Sequence, residues 1–128
     1  MAWNETKLTA TGRIITDVKT RTLPDGTLYA DFTLAANERR YDPDTKEWVA
    51  GKSLYLRVKC YRKLAEKVAA TLTVRDPVMV TGRVYTDKYE TDSGPRSDLT
   101  LDAKCIGPDL SLCDVVIERK PSLLEPAA

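Results

Sequence analysis

Leu54-Tyr-Leu-Arg-Val-Lys-Cys-Tyr61 decides how this chain is read, because its two parities differ completely. Leu54, Leu56, Val58 and Cys60 are apolar, whereas Tyr55, Arg57, Lys59 and Tyr61 alternate ring and cation. Successive side chains of a β-strand leave opposite faces of the sheet, so one face of this stretch suits a core and the other shows two rings and two charges. An unpaired nucleic-acid strand needs that kind of surface, since bases stack on aromatic rings and phosphates sit near Arg or Lys. Tyrosine in a half-buried strand and Lys or Arg on a solvated face are also ordinary, so the stretch takes its meaning from its neighbours.

Downstream, Lys63 to Leu72 switches to helical spacing, with Leu64, Ala65, Val68, Ala69 and Leu72 on one stripe, and Pro77 prevents its extension. Val78 to Thr91 reads as a long strand bent at Gly82. Asp92-Ser-Gly-Pro95 makes a hairpin turn, and Arg96 to Gly107 returns with Leu99, Leu101, Ala103 and Cys105 on one face. Upstream, Tyr41 to Gly51 is polar and holds Pro, Asp and Gly, which predicts a hairpin loop beyond the sheet. Leu28 to Glu38 alternates as a strand, Leu23-Pro-Asp-Gly26 is a turn, and Lys7 to Thr20 is a strand with a bend or bulge at Gly12. Five strands with one helix between the third and fourth give an all-β chain with one helix in the order of an OB fold, a five-stranded Greek-key barrel whose face and loops commonly bind oligonucleotides. Residues 1–110 form that domain. In the extension, residues 111–128, Asp114 to Glu118 has the makings of one further short strand, and Pro121 to Ala128 reads as a disordered end.

The 128 residues, 42% of them hydrophobic, suit one globular domain. No run approaches the roughly 18 apolar residues of a membrane span, and the N-terminus lacks a hydrophobic signal core, which places the chain in the cytoplasm. Net charge is +1, so distribution rather than total must point to a partner. Lys52, Arg57, Lys59, Arg62, Lys63 and Lys67 crowd one segment, with Arg39 and Arg40 upstream. The absence of histidine excludes a Cys/His dyad, a Ser/His/Asp triad and imidazole metal ligands within the chain; no metal and no cofactor is expected. Cys60 and Cys105 lie on the apolar parity of their strands and read as core residues. Cys113 lies outside that pattern and is the candidate for a disulfide between subunits.

The run Tyr61-Arg-Lys-Leu-Ala-Glu-Lys-Val-Ala69, followed by Val78-Met-Val-Thr-Gly-Arg-Val-Tyr85 and Tyr89-Glu-Thr-Asp-Ser-Gly94, resembles the bacterial single-stranded DNA-binding proteins. So do Gly12-Arg13, Pro24-Asp25-Gly26 and Asp31-Phe-Thr-Leu-Ala35, and the likeness covers about residues 5–110. It implies non-catalytic, largely sequence-independent binding of single-stranded DNA in replication, recombination and repair, in a nucleoid-associated homotetramer. It also implies base-stacking roles for Tyr41, Tyr55, Tyr61 and Tyr89. Trp48 shares the loop of Tyr41, either adding a ring or packing the loop. Arg39, Arg57 and Lys59 lead the candidate phosphate contacts, followed by Lys52, Arg62, Arg83 and Lys88. Family members usually continue into a linker with an acidic tip that recruits other proteins. This sequence ends in Ser122-Leu-Leu-Glu-Pro-Ala-Ala128, which counts against recruitment through such a tip and resembles the short second paralogue of some actinobacteria. Two other readings stand beside this one. Asp42, Asp44 and Glu47 suggest a magnesium site of a small nuclease, and the barrel alone suits a protein-interaction or primosomal module.

Overall fold

The computed structural model describes residues 3–119. Its elements are β1 (Thr6–Ile14), β2 (Lys19–Thr22), β3 (Leu28–Asp42), β4 (Glu47–Tyr61), α1 (Arg62–Thr71), β5 (Pro77–Thr91) and β6 (Gly94–Pro108). They hydrogen-bond in the order β1-β5-β6-β4-β3-β2, and a second pairing of β1 with β3 closes the sheet into a barrel. All contacts are antiparallel except β4 with β6. A parallel pair needs a crossover, and here α1 and β5 supply it. This is the connectivity expected of an OB barrel, with β2 added as a short edge strand beside β3.

The apolar parity of the decisive stretch points inward: Leu56, Val58 and Cys60 are fully buried beside Ile14, Leu34, Val78, Val80 and Leu101. Burying each large aliphatic side chain contributes about 1.5–3 kcal/mol, so this interior sets the barrel's stability. Ala65 and Val68 of α1 enter the same cluster, while Leu64 and Leu72 pack at its margin. Ala69, expected on the stripe, is exposed because the helix touches the barrel along a narrow line. Cys60 donates its thiol to the Ala30 carbonyl, and burial pushes that thiol up to about 11, so it stays protonated.

The two bends expected at glycine are places where two strands approach too closely for a side chain. A Cβ on Gly12 would collide with the Ala35 carbonyl oxygen, where β1 leaves β5 to meet β3 at Arg13 and Ile14. A Cβ on Gly82 would collide with the Asp102 carbonyl oxygen, beside the bulge that sets Thr81 opposite Cys105 and Gly82 opposite Ala103. Lys104 is therefore an extra residue, and one extra residue flips side-chain parity. Ile106 packs against the core in the place expected of Cys105, which is exposed.

Three further expectations need correcting. Lys7 to Thr20 is not one strand: the chain leaves the sheet after Ile14, is pinned by the Ile15 N–H on the Thr33 carbonyl (2.9 Å), and re-enters as β2. Tyr41 to Gly51 is not an open loop, because Tyr41 pairs with Trp48, Arg40 with Val49 and Arg39 with Ala50. The turn itself is residues 43–46, where Lys46 takes a φ of 58° and Asp42 Oδ1 accepts the Asp44 N–H at 2.9 Å. Finally, Asp114 to Glu118 forms no strand and is exposed, since no strand edge of this chain lies against it. The end expected from Pro121 to Ala128 lies outside the described residues.

Candidate nucleic-acid interface

Register brings the outward parity of five strands onto one surface. Tyr61 stands opposite Tyr29, which stands opposite Arg21; Lys59 lies between Asp31 and Asp102, and Asp102 faces Arg83. Next come Arg57, Thr100 and Tyr85, then Asp98 with Asp87, and beyond them Tyr89. The surface is thus a row of phenol rings set in a lattice of charges.

The expected stacking rings are placed outward but not together. Tyr55 is 59% exposed on the barrel wall, and Tyr61 is half-buried because its ring leans on Tyr29 with centroids 5.4 Å apart. Tyr41 and Trp48 sit out on the β3–β4 hairpin as an edge-to-face pair, 5.5 Å apart and inclined at 68°. Trp48 packs on Tyr41 in that pair and is 63% exposed. Tyr89, 41% exposed, lies on the β5–β6 hairpin and donates its hydroxyl to Asp98 Oδ2 at 3.1 Å.

The phenols of Tyr29, Tyr61, Tyr85 and Tyr89 are all shifted upward from their ordinary value. Burial, and then the Asp31 carboxylate, pushes Tyr29 up to about 12. Burial, and then the Asp102 carboxylate, does the same for Tyr85, also to about 12. Tyr61 is raised chiefly by burial, and Tyr89 chiefly by its hydrogen bond to Asp98.

The cations divide into two groups that sequence alone did not separate. Arg57 gives Nε and Nη2 to Asp31 Oδ2 at 3.1 and 2.7 Å, Lys59 reaches Asp87 at 3.4 Å, and Arg83 reaches Asp102 at 2.6 Å. The hydrogen bond to Asp31 is the main reason that the Arg57 guanidinium is raised further above its ordinary value. Arg39, Lys52, Arg62 and Lys88 are exposed and, among the described residues, form no ion pair. Arg39 and Lys52 lie on the β3–β4 hairpin, Arg62 takes a φ of 59° at the strand-to-helix corner, and Lys88 lies on the opposite side of its ribbon from Tyr89.

Sequence reading missed Tyr29, Tyr85 and the four carboxylates Asp31, Asp87, Asp98 and Asp102. The period-two run Arg83, Tyr85, Asp87, Tyr89 carried a signal for Tyr85 like that of the decisive stretch. The carboxylates gave none, because each acts across a strand boundary. Asp42, Asp44 and Glu47 shape the hairpin turn instead of converging, and among the described residues no group of three or more acidic, Cys or His side chains is arranged to hold a metal. Cys113 is half-buried with its thiol 3.3 Å from the Asp109 carbonyl.

Residues 5–108 match the Single-strand binding protein family. The chain is 35% identical over 122 residues to the single-stranded DNA-binding protein of Corynebacterium glutamicum, spanning 94% of this chain and 54% of that protein. It is 36% identical over 116 residues to the corresponding protein of Paenarthrobacter aurescens, spanning 90% of this chain and 68% of that one. The chain therefore spans little more than half the length of the first of these relatives. Among solved structures, the small single-stranded DNA-binding protein of Streptomyces coelicolor superposes with a TM-score of 0.78 at 31% identity, over 86% of this chain and 99% of that one. The second single-stranded DNA-binding protein of Mycobacterium smegmatis gives a TM-score of 0.68 at 31% identity, over 90% and 99%.

Proposed function

The chain belongs to the single-strand binding protein family, and on that premise we propose that it binds single-stranded DNA without a base-edge code and without a chemical step. Bases stack on Tyr41, Trp48, Tyr55, Tyr61 and Tyr89, and phosphates are drawn to Arg39, Lys52, Arg62 and Lys88. Such binding protects exposed strands in replication, recombination and repair, in the cytoplasm and at the nucleoid. The observation that carries this reading is the exposure of Tyr41, Trp48, Tyr55 and Tyr89 on the barrel and its two hairpins. Stacking of about 1–3 kcal/mol per base, a scale drawn from proteins of this kind, makes a few such rings sufficient for tight binding.

Arg57, Lys59 and Arg83 take a different part in this proposal from the one expected of them. Each is bound to a carboxylate, so its charge is already largely compensated before a phosphate reaches it. Arg57 and Lys59 serve chiefly to hold the sheet surface in shape.

The same reading takes the working unit as a homotetramer. Exposed Met79, Leu110, Leu112, Val115, Val116 and Ile117 supply apolar surface for it, and Cys113 is the thiol placed to link subunits. The test is native mass spectrometry with and without a 35-mer of dT, beside fluorescence titration with poly(dT) at moderate salt. A fourfold mass that takes up the strand, with Tyr and Trp quenching, is expected; a flat titration at low ionic strength overturns the reading. On non-reducing electrophoresis the Cys113 link appears as a dimer band that reductant and Cys113→Ser both remove.

A further inference from the structure

We propose that Arg83 presents a base-stacking plane to the bound strand, carried on the Tyr85 ring and fixed from the side by Asp102, and that Arg21 over Tyr29 is a second such plane. The inference rests on the single-stranded DNA reading above and assigns to these residues a role other than phosphate contact.

The Arg83 guanidinium carbon lies 4.9 Å over the centroid of the Tyr85 ring, so that face of the ring is occupied. Asp102 grips both members: Oδ2 accepts from Arg83 Nη2 at 2.6 Å, and Oδ1 accepts the Tyr85 hydroxyl at 3.1 Å. One carboxylate thus ties the guanidinium to the far end of the ring beneath it. The hydroxyl is a donor at neutral pH as in any tyrosine, and burial followed by Asp102 extends that range by pushing it up to about 12. The Arg83 side chain is still 45% exposed, so part of it remains open to solvent.

Two physical facts make this a stacking plane. A guanidinium is flat and weakly hydrated, and it stacks on aromatic rings and on bases alike, which a lysine ammonium does not. A phosphate contact, in contrast, would compete for Arg83 with a carboxylate already 2.6 Å from Nη2 and bring a second anion beside Asp102. The arrangement recurs at Arg21, whose guanidinium carbon lies 5.2 Å over Tyr29. Tyr29 is only 6% exposed, so its own ring has no room for a base, and whatever stacks there meets Arg21 first.

The test is the salt dependence of oligo(dT) affinity for wild type, Arg83→Lys, Arg83→Ala, Asp102→Ala and Arg21→Lys. Arg83→Lys keeps the charge and loses the plane, so affinity is expected to fall about tenfold at every salt concentration, with the slope of log K against log salt unchanged. Arg21→Lys is expected to behave the same way, more weakly because Arg21 lacks a carboxylate anchor among the described residues. Asp102→Ala gives opposite signs for the two roles: removing an acid tightens binding if Arg83 holds a phosphate, and weakens it if Asp102 positions a stacking plane. Wild-type affinity in Arg83→Lys overturns the proposal. It is overturned equally if Arg83→Ala lowers the slope by about 0.7, the value of one phosphate contact on a single strand. Failure of wild type to bind at low ionic strength is a separate outcome that removes the underlying reading as well.

Discussion

The barrel wall and the two hairpins carry the same kinds of residue, tyrosines with basic side chains, yet treat them in opposite ways. On the wall three cations are tied to acids, Arg57 to Asp31, Lys59 to Asp87 and Arg83 to Asp102, and Arg21 leans on the Tyr29 ring. The tyrosines there are braced too, Tyr61 against Tyr29 and Tyr85 by Asp102. On the β3–β4 hairpin Arg39 and Lys52 are exposed beside the Tyr41–Trp48 pair, without ion pairs among the described residues. A paired charge has little counterion to release, whereas a solvated one brings the full salt-dependent gain when a phosphate arrives. On the proposed reading the wall is a shaped stacking surface with its charges paired, and the hairpin is where phosphate attraction concentrates.

That contrast can be broken in four ways, from the largest effect to the smallest. Gly82→Ala drives a Cβ into the Asp102 carbonyl and disturbs the bulge from which the wall hangs. A loss of about 3 kcal/mol in urea unfolding is expected, and an unchanged midpoint would mean that the bulge does not shape the wall. Tyr55→Ala removes the most exposed ring of the wall and should weaken oligo(dT) binding by about 2 kcal/mol with no change in salt slope. Arg39→Ala should lower the slope by about 0.7, whereas Arg57→Ala should leave it nearly untouched and cost about 1 kcal/mol of stability, by leaving Asp31 without its partner. Equal slopes for the two variants would erase the distinction between wall and hairpin.

The last effect is in pH, and at neutral pH it is nil. Tyr29 and Tyr85 hold their protons up to about 12 in the folded state against about 10 for a free phenol. Between these values the native protein binds more protons than the unfolded chain, so stability is constant below about pH 10 and falls as pH rises toward 12. Denaturant midpoints across that range check the sign, and the combined Tyr29→Phe and Tyr85→Phe variant should flatten the decline.

Where local periodicity carried the information, sequence reading and structure agree. The apolar parity of β4, the helix within one residue at either end and the barrel order all follow from alternation and turn chemistry inside single segments. Disagreement begins where a residue count outside the segment matters. Cys105 was assigned to the core by parity, and the extra Lys104 turned it outward. The polar composition of residues 41–51 concealed a paired ribbon, because exposed strands need no apolar alternation.

From composition and alternation alone came the inside and outside of each strand and the rings and cations available to a strand of DNA, since side-chain direction is a local property of the backbone. Which cations are free was settled by tertiary structure. Arg57 finds Asp31 at a separation of 26 residues and Arg83 finds Asp102 at 19, and those meetings depend on register and barrel closure. A charge pair exists only once two strands are aligned, and no single strand carries that alignment within itself.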